Sequence, residues 1–127
     1  MRVLLDTNVL LRALAGDPAV ESIRDILLAE ETEVFISAVS WWDIAARIEA
    51  GHLQADLKEL RAAAVESGFI ELPLRGEHAG ALSALTGSGL KAPSFERMIA
   101  AQAEIEPMRL VSSDTRLMGR SALFLRA

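Results

Sequence analysis

MRVLLDTNVLLRAL, residues 1–14, decides the architecture. Arg2 to Leu5 form a short apolar run that stops at a carboxylate, Asp6, which reads as a buried first strand. Asn8 to Leu14 then carry a helical pattern, and Gly16-Asp17-Pro18 breaks the chain. A buried strand passing straight into a helix is the opening of a βα unit.

Working outward, the same order recurs. Val20, Ile23, Ile26 and Leu27 recur at three and four residues, predicting a helix from about Ala19 to Ala29. Val34-Phe35-Ile36 reads as a second strand. Ser37 or Ser40 can cap a helix that runs to about Ala50 and is ended by Gly51. A helix over Ala55 to Glu66, a third strand over Phe69 to Leu72 and a helix over Glu77 to Leu85 follow. Thr86 to Ser94, with Gly87, Gly89 and Pro93, reads as a loop. Phe95 to Ile105 is strongly helical, and Pro107 bars its extension. Arg109 to Ser112 is a fourth strand, Thr115 to Met118 a helical turn and Ala122 to Leu125 a last short strand. This alternation predicts an α/β fold with a short, mostly parallel sheet flanked by helices, in a single domain over residues 1–127.

The totals narrow the function. Half the 127 residues are apolar (51%), enough for a substantial core, but no long uncharged apolar run marks a membrane span. Asp6 interrupts the N-terminal apolar stretch too early for a secretory signal, and cysteine is absent, so neither a disulfide framework nor a thiolate metal site is available. A cytoplasmic location is the expectation. The net charge of −5 argues against a generic basic nucleic-acid binder, yet it suits a carboxylate cluster built around a divalent cation. No phosphate-binding glycine motif and no Gly-x-Ser-x-Gly elbow occurs. His52 and His78 lack a second ligand at metal spacing and read as surface or helix-end residues.

Four acids remain. In open α/β sheets ligands bind past the carboxyl ends of strands, and Asp6 and Asp114 stand there. Either also suits a helix N-cap. Asp43 lies early in the helix after the second strand, and Glu96 opens FERMIAAQAEI, both where the helix dipole favours an acid. All four can share one sheet edge. Without a compensating Lys nearby they would repel one another, and a divalent cation removes that conflict. Mg²⁺ suits oxygen ligands and phosphate substrates, and a bound metal can activate water against a phosphodiester. Arg12, Lys91 and Arg97 are candidates for contact with a substrate phosphate, although a structural ion pair suits Arg97 better. Trp41 and Trp42 are adjacent and point to different sides of their helix. One belongs to the core, and the other is either a partner anchor or simple packing.

The segments LLDTNVLLRAL, ISAVSWWDIAARIEAGHL, SGFIELPL with HAGALSAL, and FERMIAAQA with LVSSD, in this order over nearly the whole chain, resemble the VapC toxins of the PIN-domain superfamily. The resemblance implies a Rossmann-like, three-layer PIN fold and a Mg²⁺- or Mn²⁺-dependent endoribonuclease. It also implies the toxin role of a type II toxin–antitoxin pair, a small antitoxin covering the site and a toxin homodimer. Carried over by position, Asp6, Asp43, Glu96 and Asp114 take the metal-binding catalytic places, with Asn8 and Ser112 supporting them.

Two departures stand out. Asp43 occupies a place that is usually Glu, and Glu96 one that is usually Asp. The loop pattern H-x-D-P-F-D is here Lys91-Ala92-Pro93-Ser94-Phe95-Glu96. One methylene moves a carboxylate by ~1.5 Å, and a misplacement of ~1 Å can lower a rate ~10²-fold. The alternative is therefore a catalytically weakened PIN-fold binding module that still captures an antitoxin. A receiver-type phosphotransfer domain is disfavoured, because the first strand lacks an acidic doublet and no Lys follows a late strand.

Overall fold

Val3, Leu4 and Leu5 have no solvent exposure on either side of their strand, which places that strand inside a sheet covered on both faces. The computed structural model describes residues 1–82, 94–114 and 124–126. Its strands are β1 (Arg2–Leu5), β2 (Glu33–Ser37), β3 (Ile70–Leu72), β4 (Arg109–Ser112) and β5 (Phe124–Arg126). They lie in the order β3-β2-β1-β4-β5, and every neighbouring pair is parallel. Leu4 stands opposite Phe35 of β2 and Leu110 of β4, so β1 is the centre from which the chain winds first one way and then the other.

The helices are α1 (Thr7–Leu14), α2 (Arg24–Leu28), α3 (Ala38–Glu49), α4 (Leu57–Glu66), α5 (Gly76–Gly80) and α6 (Phe95–Ile105). Alternation along the strands divides the core. Val3, Leu5, Ile36 and Val111 pack with Val9 and Leu10 of α1, Ile44 of α3 and Ala64 of α4. Leu4, Leu72 and Leu110 pack on the other face against Ile99, Ala100 and Ala103 of α6. The result is a three-layer, Rossmann-like α/β arrangement. The small residues of α6 let that helix lie close to the sheet.

Local chemistry explains most boundaries. Ser37 accepts from the Val39 N–H at 2.9 Å and caps α3, while Gly51, at φ 78°, supplies the left-handed residue that ends it. Asp56 caps α4 by accepting from Lys58 N and Glu59 N, so that helix begins at Leu57 rather than Ala55. One expectation is corrected. The segment Ala19 to Ala29 is not one α-helix: Pro18–Ile23 form a 3-10 helix, and α2 begins at Arg24. Asp17 caps the tight turn through Ala19 N, and a 3.0-residue turn aligns Val20 and Ile23 toward the core. Helix α5 begins at Gly76 and is short, while Lys91, Thr115 to Met118 and most of the glycine-rich stretch lie outside the described residues. Among the described residues, no helix is long and apolar enough to cross a membrane.

Candidate active site

The sheet reverses its winding direction between β1 and β4, and such a switch point opens a crevice at the carboxyl ends of the strands. Asp6 ends β1 there. Its backbone N–H donates to Val111 O at 3.0 Å, which extends the ladder by one residue and fixes where the side chain starts. Asp6 is the N-cap of α1: Oδ1 accepts from Val9 N at 2.8 Å. Its other oxygen, Oδ2, accepts from the Ser112 hydroxyl at 2.6 Å, and Ser112 Oγ accepts in turn from Asp114 N at 2.9 Å. Ser112 thus links the Asp6 carboxylate to the backbone of Asp114 at the switch point. Asp6 is only 8% exposed. Burial raises its pKa above the ordinary value, and the charge of Asp114 adds to this. Hydrogen bonds from Ser112 and Val9 and the charge of Arg12 act in the opposite direction.

Asp43 lies on α3 and is 4% exposed. Its charge is compensated by a residue the sequence reading did not single out. Arg47, one turn on, donates Nε to Oδ1 at 2.8 Å and Nη2 to Oδ2 at 3.0 Å. Nη1 of the same guanidinium donates to Asn8 Oδ1 at 2.9 Å. Asn8 therefore links α1 to this pair. A second link, from Thr7 Oγ1 to Ser40 Oγ at 3.2 Å, ties the same two helices in the buried interior. The expectation that the acids lack a compensating cation overlooked Arg, although an i, i+4 Asp–Arg spacing was visible in the chain.

Glu96 is the second residue of α6, after the Ser94 cap, which accepts from Arg97 N at 3.1 Å. The neighbouring Phe95 ring meets Trp42 edge-on, with centroids 5.1 Å apart, so the start of α6 sits beside the Asp43 turn of α3. Arg97 donates Nη2 to Leu82 O at 2.9 Å and Nε to the same oxygen at 3.3 Å, which holds the chain after α5. Trp41 is core, whereas Trp42 is 64% exposed and borders an apolar groove with Val39, Leu74, Leu82 and Met98.

The PIN-domain family model matches residues 3–120. The chain belongs to the PIN-domain family. No curated protein matches its sequence significantly. Among solved structures, the PIN chain is similar to VapBC2 from Rickettsia felis, solved bound to a fragment of its promoter DNA. The TM-score is 0.71 and the identity 16%, over 100% of this chain and 98% of that one. It is also similar to a toxin–antitoxin complex from Klebsiella pneumoniae, with TM-score 0.67 and 18% identity over 97% and 95% of the two chains. VapBC-1 from nontypeable Haemophilus influenzae gives 0.66 and 15% over 99% and 98%. At these identities the likeness is one of fold.

The acids of this PIN domain differ in how they suit a divalent cation. Asp6, Glu96 and Asp114 offer hard oxygen donors, and a cation beside Asp6 would offset the cost of its buried charge. Asp43 fits less well, since both its oxygens accept from the cationic Arg47, whereas those of Asp6 accept from the neutral Ser112 hydroxyl and Val9 N–H. Among the described residues, the group of possible ligands whose atoms fall within 4.8 Å of one another lies elsewhere, at Glu77, His78 and Glu106, and no three of Asp6, Asp43, Glu96 and Asp114 meet at that spacing. His78 stands at a helix end, in the short α5, and is fully buried rather than on the surface. Its Nδ1 accepts from Arg75 N at 2.9 Å, so Nε2 carries the proton and donates to Glu106 Oε2 at 2.6 Å. Nδ1 thereby caps α5 itself, while Nε2 joins α5 to the end of α6, about 15 Å along that helix from Glu96.

Proposed function

We propose that this PIN domain is a Mg²⁺- or Mn²⁺-dependent endoribonuclease and the toxin of a type II toxin–antitoxin pair. The observation that carries the reading is the hydrogen-bonded chain from the buried Asp6 carboxylate through Ser112 to the backbone N–H of Asp114 at the switch point of the sheet. PIN domains are generally nucleases. A divalent cation held by Asp6, Glu96 and Asp114 would activate water and offset the charge that develops on a phosphodiester. Ser112 and Val9 N–H hold one oxygen each of Asp6, so its carboxylate presents a fixed donor geometry. Arg12, whose charge reaches Asp6, is proposed to help hold the negative RNA backbone, and Lys91 and Arg97 belong to the same proposal.

The toxin role is supported by the neighbours, which were solved as VapBC or toxin–antitoxin complexes. A small antitoxin is the proposed partner, and exposed Trp42 suits a protein contact. A toxin homodimer and a cytoplasmic location complete the reading. One observation favours the second reading, an antitoxin-binding module with weak catalysis: Arg47 occupies both oxygens of Asp43.

Cleavage of a mixed tRNA and rRNA pool tests the proposal. It should require Mn²⁺, stop with EDTA and fall by ~10²-fold or more in Asp6→Asn, as when a positioned group at a reacting centre is lost. No cleavage by well-folded, antitoxin-free protein would favour the binding module.

A further inference from the structure

Asp and Arg at i and i+4 of one helix face lie within reach of each other, but such pairs on a surface are loose and solvent-screened. The Asp43–Arg47 pair is neither. The Asp43 side chain is 5% exposed and the Arg47 side chain 29%. Two parallel N–H donors hold the two carboxylate oxygens at 2.8 and 3.0 Å, the fork geometry in which a guanidinium binds most firmly. The third arm is tied down as well, by Asn8 on α1 at 2.9 Å. Asn8 is two residues from Asp6, so the guanidinium lies between the Asp43 turn of α3 and the helix that Asp6 caps.

Such a cation changes what the acids can do. Each Asp43 oxygen already accepts from a positively charged donor, which repels a second cation, whereas the donors to Asp6 are the neutral Ser112 hydroxyl and Val9 N–H. We infer that Arg47 is a built-in counter-cation that competes with the divalent metal for Asp43, so that Asp43 enters the metal's coordination only when Arg47 lets go. In the resting protein Asp43 is an anchor for Arg47, and the metal is left with Asp6, Glu96 and Asp114. Binding is reciprocal: whatever factor Arg47 takes from metal affinity, bound metal takes from the Asp43–Arg47 pair. Arg47 is thus a positioning residue that sets metal affinity from outside the ligand set. The inference rests on the metal-dependent reading of this site.

Mn²⁺ titration calorimetry on the full chain tests it, with wild type, Arg47→Gln, Asp43→Asn and the double variant, each checked for folding by thermal melting in EDTA. Arg47→Gln should tighten Mn²⁺ at least ~5-fold, the lower end of ordinary coupling between sites. Asp43→Asn should leave the wild-type Kd within ~3-fold, and the gain of Arg47→Gln should vanish in the double variant, as a cycle between coupled partners requires. If Arg47→Gln leaves Asp43 too exposed to repulsion to fold, Arg47→Lys keeps the charge without the fork and should tighten Mn²⁺ in the same direction. The inference is overturned if Arg47→Gln binds no more tightly than wild type, or if its gain persists undiminished in the Asp43→Asn background, which would mean bulk charge alone. Loss of binding in Asp43→Asn alone, or no binding in any variant, overturns it as well. RNA cleavage is scored separately. The expected binding pattern without cleavage would sink the nuclease reading and leave the Arg47 inference standing.

Discussion

Asp6 has two structural duties and one chemical one, and they pull in different directions. As N-cap of α1 it is stabilising, worth ~0.5–2 kcal/mol for such caps in general. As a buried carboxylate next to Asp114 it holds its proton more tightly than an ordinary aspartate. With the folded-state pKa raised above the unfolded value of about 3.9, the stability this group contributes is fully present below that value. It is lost as pH rises through the raised folded pKa. Asparagine keeps the cap, because its Oδ1 can still accept from Val9 N, and it has no charge to bury. In EDTA, Asp6→Asn is therefore expected to melt above the wild type at pH 7, with the gap closing toward pH 4. Melting curves across that range check this. A gap that stays constant or widens on acidification would show that burial of the Asp6 charge is not what the substitution relieves.

At the scale of elements, what could be read from the chain was what depends on near neighbours. Asp6 closing β1, Ser37 opening α3, Gly51 ending it and Pro107 stopping α6 all act within a few residues, and the structure has each in that role. The parallel sheet followed from the alternation of apolar runs and helices, whereas the strand order did not. The 3-10 segment at Pro18–Ile23 escaped because Val20 and Ile23 fit a 3.0-residue turn as well as a 3.6-residue one. Among the acids, the positions of Asp6 and Asp114 at strand ends were legible, but the Arg47 fork was not weighed, and Asn8 reaches it from 39 residues away.

The polar core was also out of reach of local pattern. Gln102, fully buried on α6, accepts from the Ser37 hydroxyl and donates toward Pro73 O at 3.4 Å and His78 Nδ1 at 3.5 Å. Its partners are separated from it by 24 to 65 residues. This network ties α6 to the start of α3 and to α5, so Gln102→Leu should cost about 1–3 kcal/mol, the usual effect of leaving buried polar partners unsatisfied. Urea unfolding measures it. A loss under ~0.5 kcal/mol, the range of an ordinary surface substitution, would mean that the packing of α6 and not its hydrogen bonds holds these helices together.

For the whole molecule, the net charge of −5 and the carboxylates at one sheet edge raise a question of specificity. Any cation screens an acidic protein, so stabilisation by salt alone says little about a site. A cation bound only by the native state behaves differently. At a hundred times its Kd it adds ~2.7 kcal/mol, and for a chain of this length each kcal/mol moves the melting temperature by about 3–5 °C. Mn²⁺ at that level should therefore raise the melting temperature by roughly 8–13 °C. NaCl at matched ionic strength should give only a small part of the rise, because monovalent ions screen without occupying the crevice. Asp6→Asn should lose most of the Mn²⁺ increment while keeping its own gain in EDTA. That crossing of the two curves, the variant above wild type without metal and below it with metal, is what a carboxylate retained for a cation at a cost to the fold must produce. Equal rises with Mn²⁺ and with matched NaCl would reduce the acidic edge to a matter of surface charge.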